Sequence, residues 1–189
     1  MPIKKAIILH GMPSREEYFN PQGSQHNKHW LPWLQKQLSQ NGIEASIPNF
    51  PEPYEPNYEK WKSVFEQFEI DKDTLLIGHS CGGGFLVRWL SENNVKVHKV
   101  ALIAPWIDPN HKFAPEMFSD WEVKDITTQA DNTRLFISMD DDKEELDTAE
   151  KLKQTVTGLE IQEFKDRGHF TFEDMKTGEF PELFEFLIN

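Results

Sequence analysis

Short apolar runs alternate along this chain with stretches whose apolar residues fall at helical spacing, and no other feature narrows the fold so far. The runs are Lys4–Leu9, Glu44–Ile47, Thr74–Ile77, Val97–Ile103, Arg134–Ser138 and Leu159–Phe164. Between them, Lys28–Gln40 sets Trp30, Leu31, Leu34 and Leu38 on one face, and Tyr58–Phe68 does the same with Trp61, Phe65 and Phe68. Gly82–Ser91, Lys143–Thr155 and Phe180–Leu187 read as further helices. Most of the runs are continuously apolar rather than alternating with polar residues, which buries both of their faces. Strands of that kind separated by helices predict an α/β fold, a mainly parallel sheet with helices on both faces. The 189 residues suit one domain, 1–189. Ligands of such sheets bind beyond the carboxyl ends of the strands. Four chemically able segments fall there: His10-Gly11, Ser80, the aspartates after Ser138, and His169.

Charge and cysteine content exclude several classes. The net charge is -12. An acidic surface repels phosphate backbones and anionic lipid, so neither nucleic acid nor a membrane surface is the expected partner. The apolar run in "MPIKKAIILHG" is too short to span a bilayer and carries no cleavage signature, which makes the cytoplasm the expected location. Cys81 is the single cysteine, so neither an internal disulfide nor a cysteine-rich zinc site can form. "HNKH" offers His26 and His29 without a matching carboxylate, and no metal or cofactor is expected. The sequence carries no signal for an oligomeric state.

The segment Gly78-His79-Ser80-Cys81-Gly82 has the pattern G-x-S-x-G, with a strand before it and a helix after it. A serine at the apex of such a turn takes a strained backbone conformation, and glycines two residues away leave room for the adjoining strand and helix. The following helix points its free N–H groups at the site, where they favour negative charge. A phosphate-binding loop is the weaker reading, because the Walker lysine and the dinucleotide glycine spacing are both missing. Ser80 is therefore the candidate nucleophile.

A serine needs a base. His169, in "DRGHF" directly after the last strand, completes the order serine, acid, histidine along the chain. His10 and His79 adjoin turns with other tasks, and His26, His29, His98 and His111 fall on loops or surface-like positions. The acid that orients the base belongs after Arg134–Ser138, where Asp140, Asp141 and Asp142 stand in a row. Asp141 is preferred and Asp140 held in reserve, while Asp142 suits a helix N-cap. An oxyanion formed at Ser80 requires two N–H donors. Backbone N–H groups of Cys81 and Met12 are the candidates. Cys81 itself lies one residue past the apex and makes a poor nucleophile.

Taken together, "HGMP", "HWLPWLQKQL", "PNFPEP", "GHSCGGG", "SMDDD" and "DRGHF" resemble the small serine hydrolase family of the α/β-hydrolase superfamily, over nearly the whole chain. The resemblance implies a compact α/β-hydrolase with little or no lid. It carries the nucleophile onto Ser80, the base onto His169 and the acid onto Asp141. Asp142 stands where the family often has proline, which leaves the register of the acid open by one residue.

Between Ala104 and Asn132, Trp106, Phe113 and Trp121, with Met117 and Phe118, are candidates either to line a small acyl pocket or to cover the sheet edge. That stretch is too short for a lid domain, which points to a small ester or amide substrate rather than a long-chain lipid. Hydrolysis through an acyl-enzyme is the expected reaction. A non-catalytic protein-binding module on the same scaffold and acyl transfer to another acceptor are the alternatives.

Overall fold

The computed structural model describes residues 3–20 and 29–189. Six strands form one parallel sheet: β1 (Lys5–Leu9), β2 (Glu44–Ser46), β3 (Thr74–His79), β4 (Val97–Ile103), β5 (Ala130–Ser138) and β6 (Glu160–Phe164). Their order across the sheet is β2-β1-β3-β4-β5-β6. The eight helices among the described residues are α1 (Arg15–Phe19), α2 (Leu31–Gln40), α3 (Tyr58–Phe65), α4 (Cys81–Glu92), α5 (Pro115–Phe118), α6 (Lys143–Thr155), α7 (Phe172–Met175) and α8 (Pro181–Ile188).

The continuous apolar strands are explained by two cores, one on each face of the sheet. Ile7, Leu9, Leu76, Val100, Leu102, Leu135 and Ile137 point to one face, where Trp61 and Phe65 of α3, Phe85 and Leu86 of α4, and Leu152 of α6 cover them. Alternate residues of the same strands, Ala6, Ile8, Leu75, Ile77, Ala101, Ile103 and Phe136, point the other way. There α2 contributes Leu31, Leu34 and Leu38, and α8 contributes Leu183, Phe186 and Leu187. Each central strand thus needs apolar side chains at both parities, which erases the period of two.

Sequence expectation and structure differ mainly at element ends. Strand β3 runs on to His79, so the chain turns immediately at Ser80. Strand β5 begins at Ala130, four residues before the apolar run, because its polar first half still pairs with β4. Helices α1, α5 and α7 interrupt stretches that read as irregular, and each is five residues or fewer. Helix α1 starts at a capping box, Ser14 and Glu17 exchanging hydrogen bonds with each other's backbone N–H. The expected beginning of α2 at Lys28, the rest of the loop up to His26, and His26 itself lie outside the described residues. No helix among the described residues is long and apolar enough to cross a membrane.

Candidate active site

The parallel register brings the carboxyl ends of β1, β3, β4 and β5 to one rim. Ser80 sits there with φ +52° and ψ -123°, a region that non-glycine residues avoid. Its backbone is held on every side. Its N–H donates to the Ile103 carbonyl (2.9 Å), and its own carbonyl accepts from Gly83 (2.9 Å), Gly84 (3.1 Å) and Trp106 (3.1 Å). Gly82 admits this geometry, since a Cβ there would stand 2.5 Å from the His10 carbonyl oxygen. Gly11, on the loop after β1, faces the serine directly: a Cβ there would lie 2.9 Å from Ser80 Cβ and 3.5 Å from Oγ. The strained turn and the missing side chain at residue 11 together hold the hydroxyl in open space.

That space is a cavity of about 180 Å³. Ser80, His169, His10, His29, His79 and Met12 line it, with Gly11, Pro13, Leu31, Thr171 and the exposed Glu17 and Glu173 completing the wall. Ser80 and His169, 89 residues apart in the chain, therefore share one small chamber.

Behind His169 stands Asp141. Its carboxylate oxygens lie 3.1 and 3.2 Å from His169 Nδ1. A carboxylate is an acceptor only, so Nδ1 carries the proton and Nε2 keeps the basic lone pair. The Asp141 side chain is 3% exposed and that of His169 28%. Burial pulls the His169 pKa down, but the hydrogen bond and charge of Asp141, then the charges of Glu145 and Asp174, outweigh it and leave the imidazole above its ordinary value. Glu145, on the first turn of α6, is pushed up to about 7, chiefly by burial; His169 pulls it back and Asp141 adds to the rise.

The three adjacent aspartates divide three tasks. Asp140 Oδ1 accepts from Ser138 Oγ (2.5 Å) and from the Gly168 N–H (3.0 Å), tying the His169 loop to the end of β5. Asp141 meets the imidazole. Asp142 occupies the N-cap position of α6 with extended backbone, but its side chain makes no capping bond. Of the expected oxyanion donors, Met12 lies on the cavity wall, and Cys81 is the first residue of α4. The Cys81 thiol is buried in the core, and burial pushes its pKa up, away from the reactive thiolate.

Trp106, Phe113 and Trp121 are not on this cavity wall. After β4 the chain turns toward α4, and the Trp106 backbone is pinned against the elbow, so its ring packs into the α4 side of the sheet. Its indole N–H donates to Glu144 (3.0 Å), and that of Trp121 donates to Ser91 Oγ (3.0 Å). Phe113 is 59% exposed. Conversely, His29, which reads from sequence as a loop histidine, lines the cavity, and its Nδ1 accepts from the Phe172 N–H (3.0 Å). Its proximity arises from folding across 143 residues and leaves no local signal. Among the described residues no group of three or more histidine, cysteine, aspartate or glutamate side chains is placed to hold a metal ion.

Known proteins share both sequence and fold with this chain. The serine hydrolase family pattern matches residues 21–189. The YdeN protein of Bacillus subtilis (strain 168) is 25% identical over 196 residues, spanning 98% of this chain and 95% of YdeN. The crystal structure of the B. subtilis ydeN gene product superposes with a TM-score of 0.77, at 23% identity over 97% of this chain and 96% of that one. A YdeN-like protein from Pectobacterium atrosepticum gives a TM-score of 0.68 at 16% identity, covering 100% of this chain and 94% of its own. A lidless α/β serine hydrolase from Xanthomonas campestris gives 0.63 at 15% identity, covering 99% and 80%. With the family pattern running through the elbow, the aspartates and the histidine loop, this chain, which shares its fold with α/β-hydrolases of known structure, belongs to the serine hydrolase family.

Proposed function

We propose that the chain, acting as one domain, hydrolyses small esters or amides through an acyl-enzyme formed on Ser80. One observation carries this reading: the His169 imidazole, backed by Asp141 at 3.1 Å, opens onto the same cavity as the Ser80 hydroxyl. His169 Nε2 takes the serine proton as Oγ attacks the carbonyl carbon, then returns it to the leaving group as the C–O or C–N bond breaks. Asp141 holds the tautomer and stabilises the imidazolium. The backbone N–H groups of Met12 and Cys81 receive the oxyanion. Water then enters with His169 again as base and releases the acid. The cavity volume of about 180 Å³ favours a short acyl group, which Met12, Pro13 and Leu31 would contact. The net charge of -12 favours a neutral or cationic small molecule over nucleic acid.

Steady-state turnover of p-nitrophenyl acetate by purified wild type, Ser80→Ala and His169→Ala tests the proposal. Each substitution is expected to lower kcat by roughly four to six orders of magnitude. Wild-type-like turnover by either variant would overturn it.

A further inference from the structure

His169 is the reactive residue of a loop whose backbone is held almost group by group. The Arg167 N–H donates to Ser138 Oγ (2.9 Å), the Gly168 N–H to Asp140 and the His169 N–H to Asp174 Oδ2 (3.0 Å). One contact differs from these in origin. The His169 carbonyl lies 2.8 Å from Nε2 of His79, the residue bonded directly to Ser80. A single dipeptide thus carries the hydroxyl and also grips the backbone of the histidine that faces it.

We propose that His79 is a positioning residue: its Nε2–H, donated to the His169 carbonyl, fixes the separation and orientation of the His169 ring relative to the Ser80 hydroxyl. A carbonyl can only accept, so the proton of neutral His79 resides on Nε2. The ring is 3% exposed and packed among Trp30 and His29, with centroids at 5.8 Å each, and His169 at 5.0 Å. It has no room to swing. Burial, followed by the neighbouring imidazoles of His169 and His29, holds its pKa well below the ordinary value. A neutral ring supplies the hydrogen bond without placing a second positive charge beside the imidazolium that forms on His169. The backbone contact also separates the two histidines by role. The His79 nitrogen that carries the proton is committed to a carbonyl, whereas the proton-bearing nitrogen of His169 faces a carboxylate and leaves Nε2 for the cavity.

This inference rests on the proposed roles of Ser80 and His169, and one set of variants separates the two. Wild type, Ser80→Ala, His169→Ala, His79→Phe and His79→Gln are compared on p-nitrophenyl acetate, with Tm measured for each. His79→Phe keeps the ring shape and removes the donor, and kcat is expected to fall about 10–100-fold with KM within about twofold, the cost of a misplaced reacting group. The glutamine amide reaches the carbonyl, and His79→Gln is expected to recover kcat to within about fivefold of wild type. If His79→Phe does not fold, His79→Asn, whose amide is too short to reach, takes its place with the same expected loss. Wild-type kcat in the folded phenylalanine or asparagine variant overturns the proposal, as does an equal loss in the glutamine variant. A glutamine variant as inactive as His169→Ala overturns it too, by making His79 the base. Undiminished turnover in Ser80→Ala would instead remove the serine-hydrolase reading beneath it.

Discussion

Nδ1 of His169 stands 3.1 Å from one carboxylate oxygen of Asp141 and 3.2 Å from the other, although the two residues belong to different loops 28 positions apart. Their neighbour Asp140 is turned onto the backbone of Gly168. This division gives a sharp contrast. Asp141→Asn replaces the charge that stabilises the imidazolium and is expected to lower kcat/KM by about 10³–10⁴-fold. Asp140→Asn keeps an oxygen able to accept from Gly168 and is expected to lose less than about tenfold, the scale of one weakened neutral hydrogen bond. Parallel kinetics on the two variants checks the assignment.

The pH dependence of kcat/KM should report His169. Its pKa is raised above the ordinary 6.5, so the neutral, basic form accumulates only above that pH, and activity should rise through a limb lying higher than 6.5. The charge of Glu145 contributes to that rise. Glu145→Gln removes the charge, so the acid limb is expected to move to lower pH. A pH–rate profile of the two proteins measures the shift.

Glu145 also ties stability to pH. Its carboxyl is held at about 7 in the fold against an ordinary 4.5. The unfolded chain therefore ionises it more readily, and the stability present below pH 4.5 is lost as pH rises through 7. Glu145→Gln should raise Tm relative to wild type at pH 8 and leave it nearly unchanged at pH 4. Thermal melts at the two pH values test the sign.

Gly11 should be intolerant of a side chain for reasons of reach rather than fold. A methyl group there would crowd Ser80 Cβ at 2.9 Å and press toward Oγ. Displacement of the hydroxyl by a fraction of an ångström up to one ångström is expected to cost about 100-fold in kcat. Gly11→Ala should show this loss by steady-state kinetics while keeping its far-ultraviolet circular dichroism.

Much of this architecture was legible in the residues because its causes are local. Strands buried on both faces must be apolar at both parities, so the runs Lys4–Leu9, Thr74–Ile77 and Val97–Ile103 announce β1, β3 and β4 to within two residues at each end. The elbow is legible for a similar reason: the steric demand on Gly82 falls within two residues of the serine. Asp141 was recognisable only up to its neighbours, since three identical side chains in a row are told apart by which way the chain turns. That Trp106, Phe113 and Trp121 lie off the wall of the Ser80 cavity is a matter of direction. Aromatic content is visible in sequence, but the face of the sheet to which a loop returns is decided by backbone contacts, here those of Trp106 with the elbow. The contacts of His29 and His79 are with partners 143 and 90 residues away, Phe172 and His169, and nothing in their immediate surroundings marks them. Short helices such as Pro115–Phe118 carry too few residues for a period to emerge.

The most direct measurement is covalent. Purified protein is treated with a fluorophosphonate, digested and mapped by mass spectrometry, with Ser80→Ala and His169→Ala alongside. The account predicts one adduct, on Ser80, absent from the serine variant and strongly diminished in the histidine variant. A folded wild type that takes up no probe, or that carries it on another residue, would contradict it.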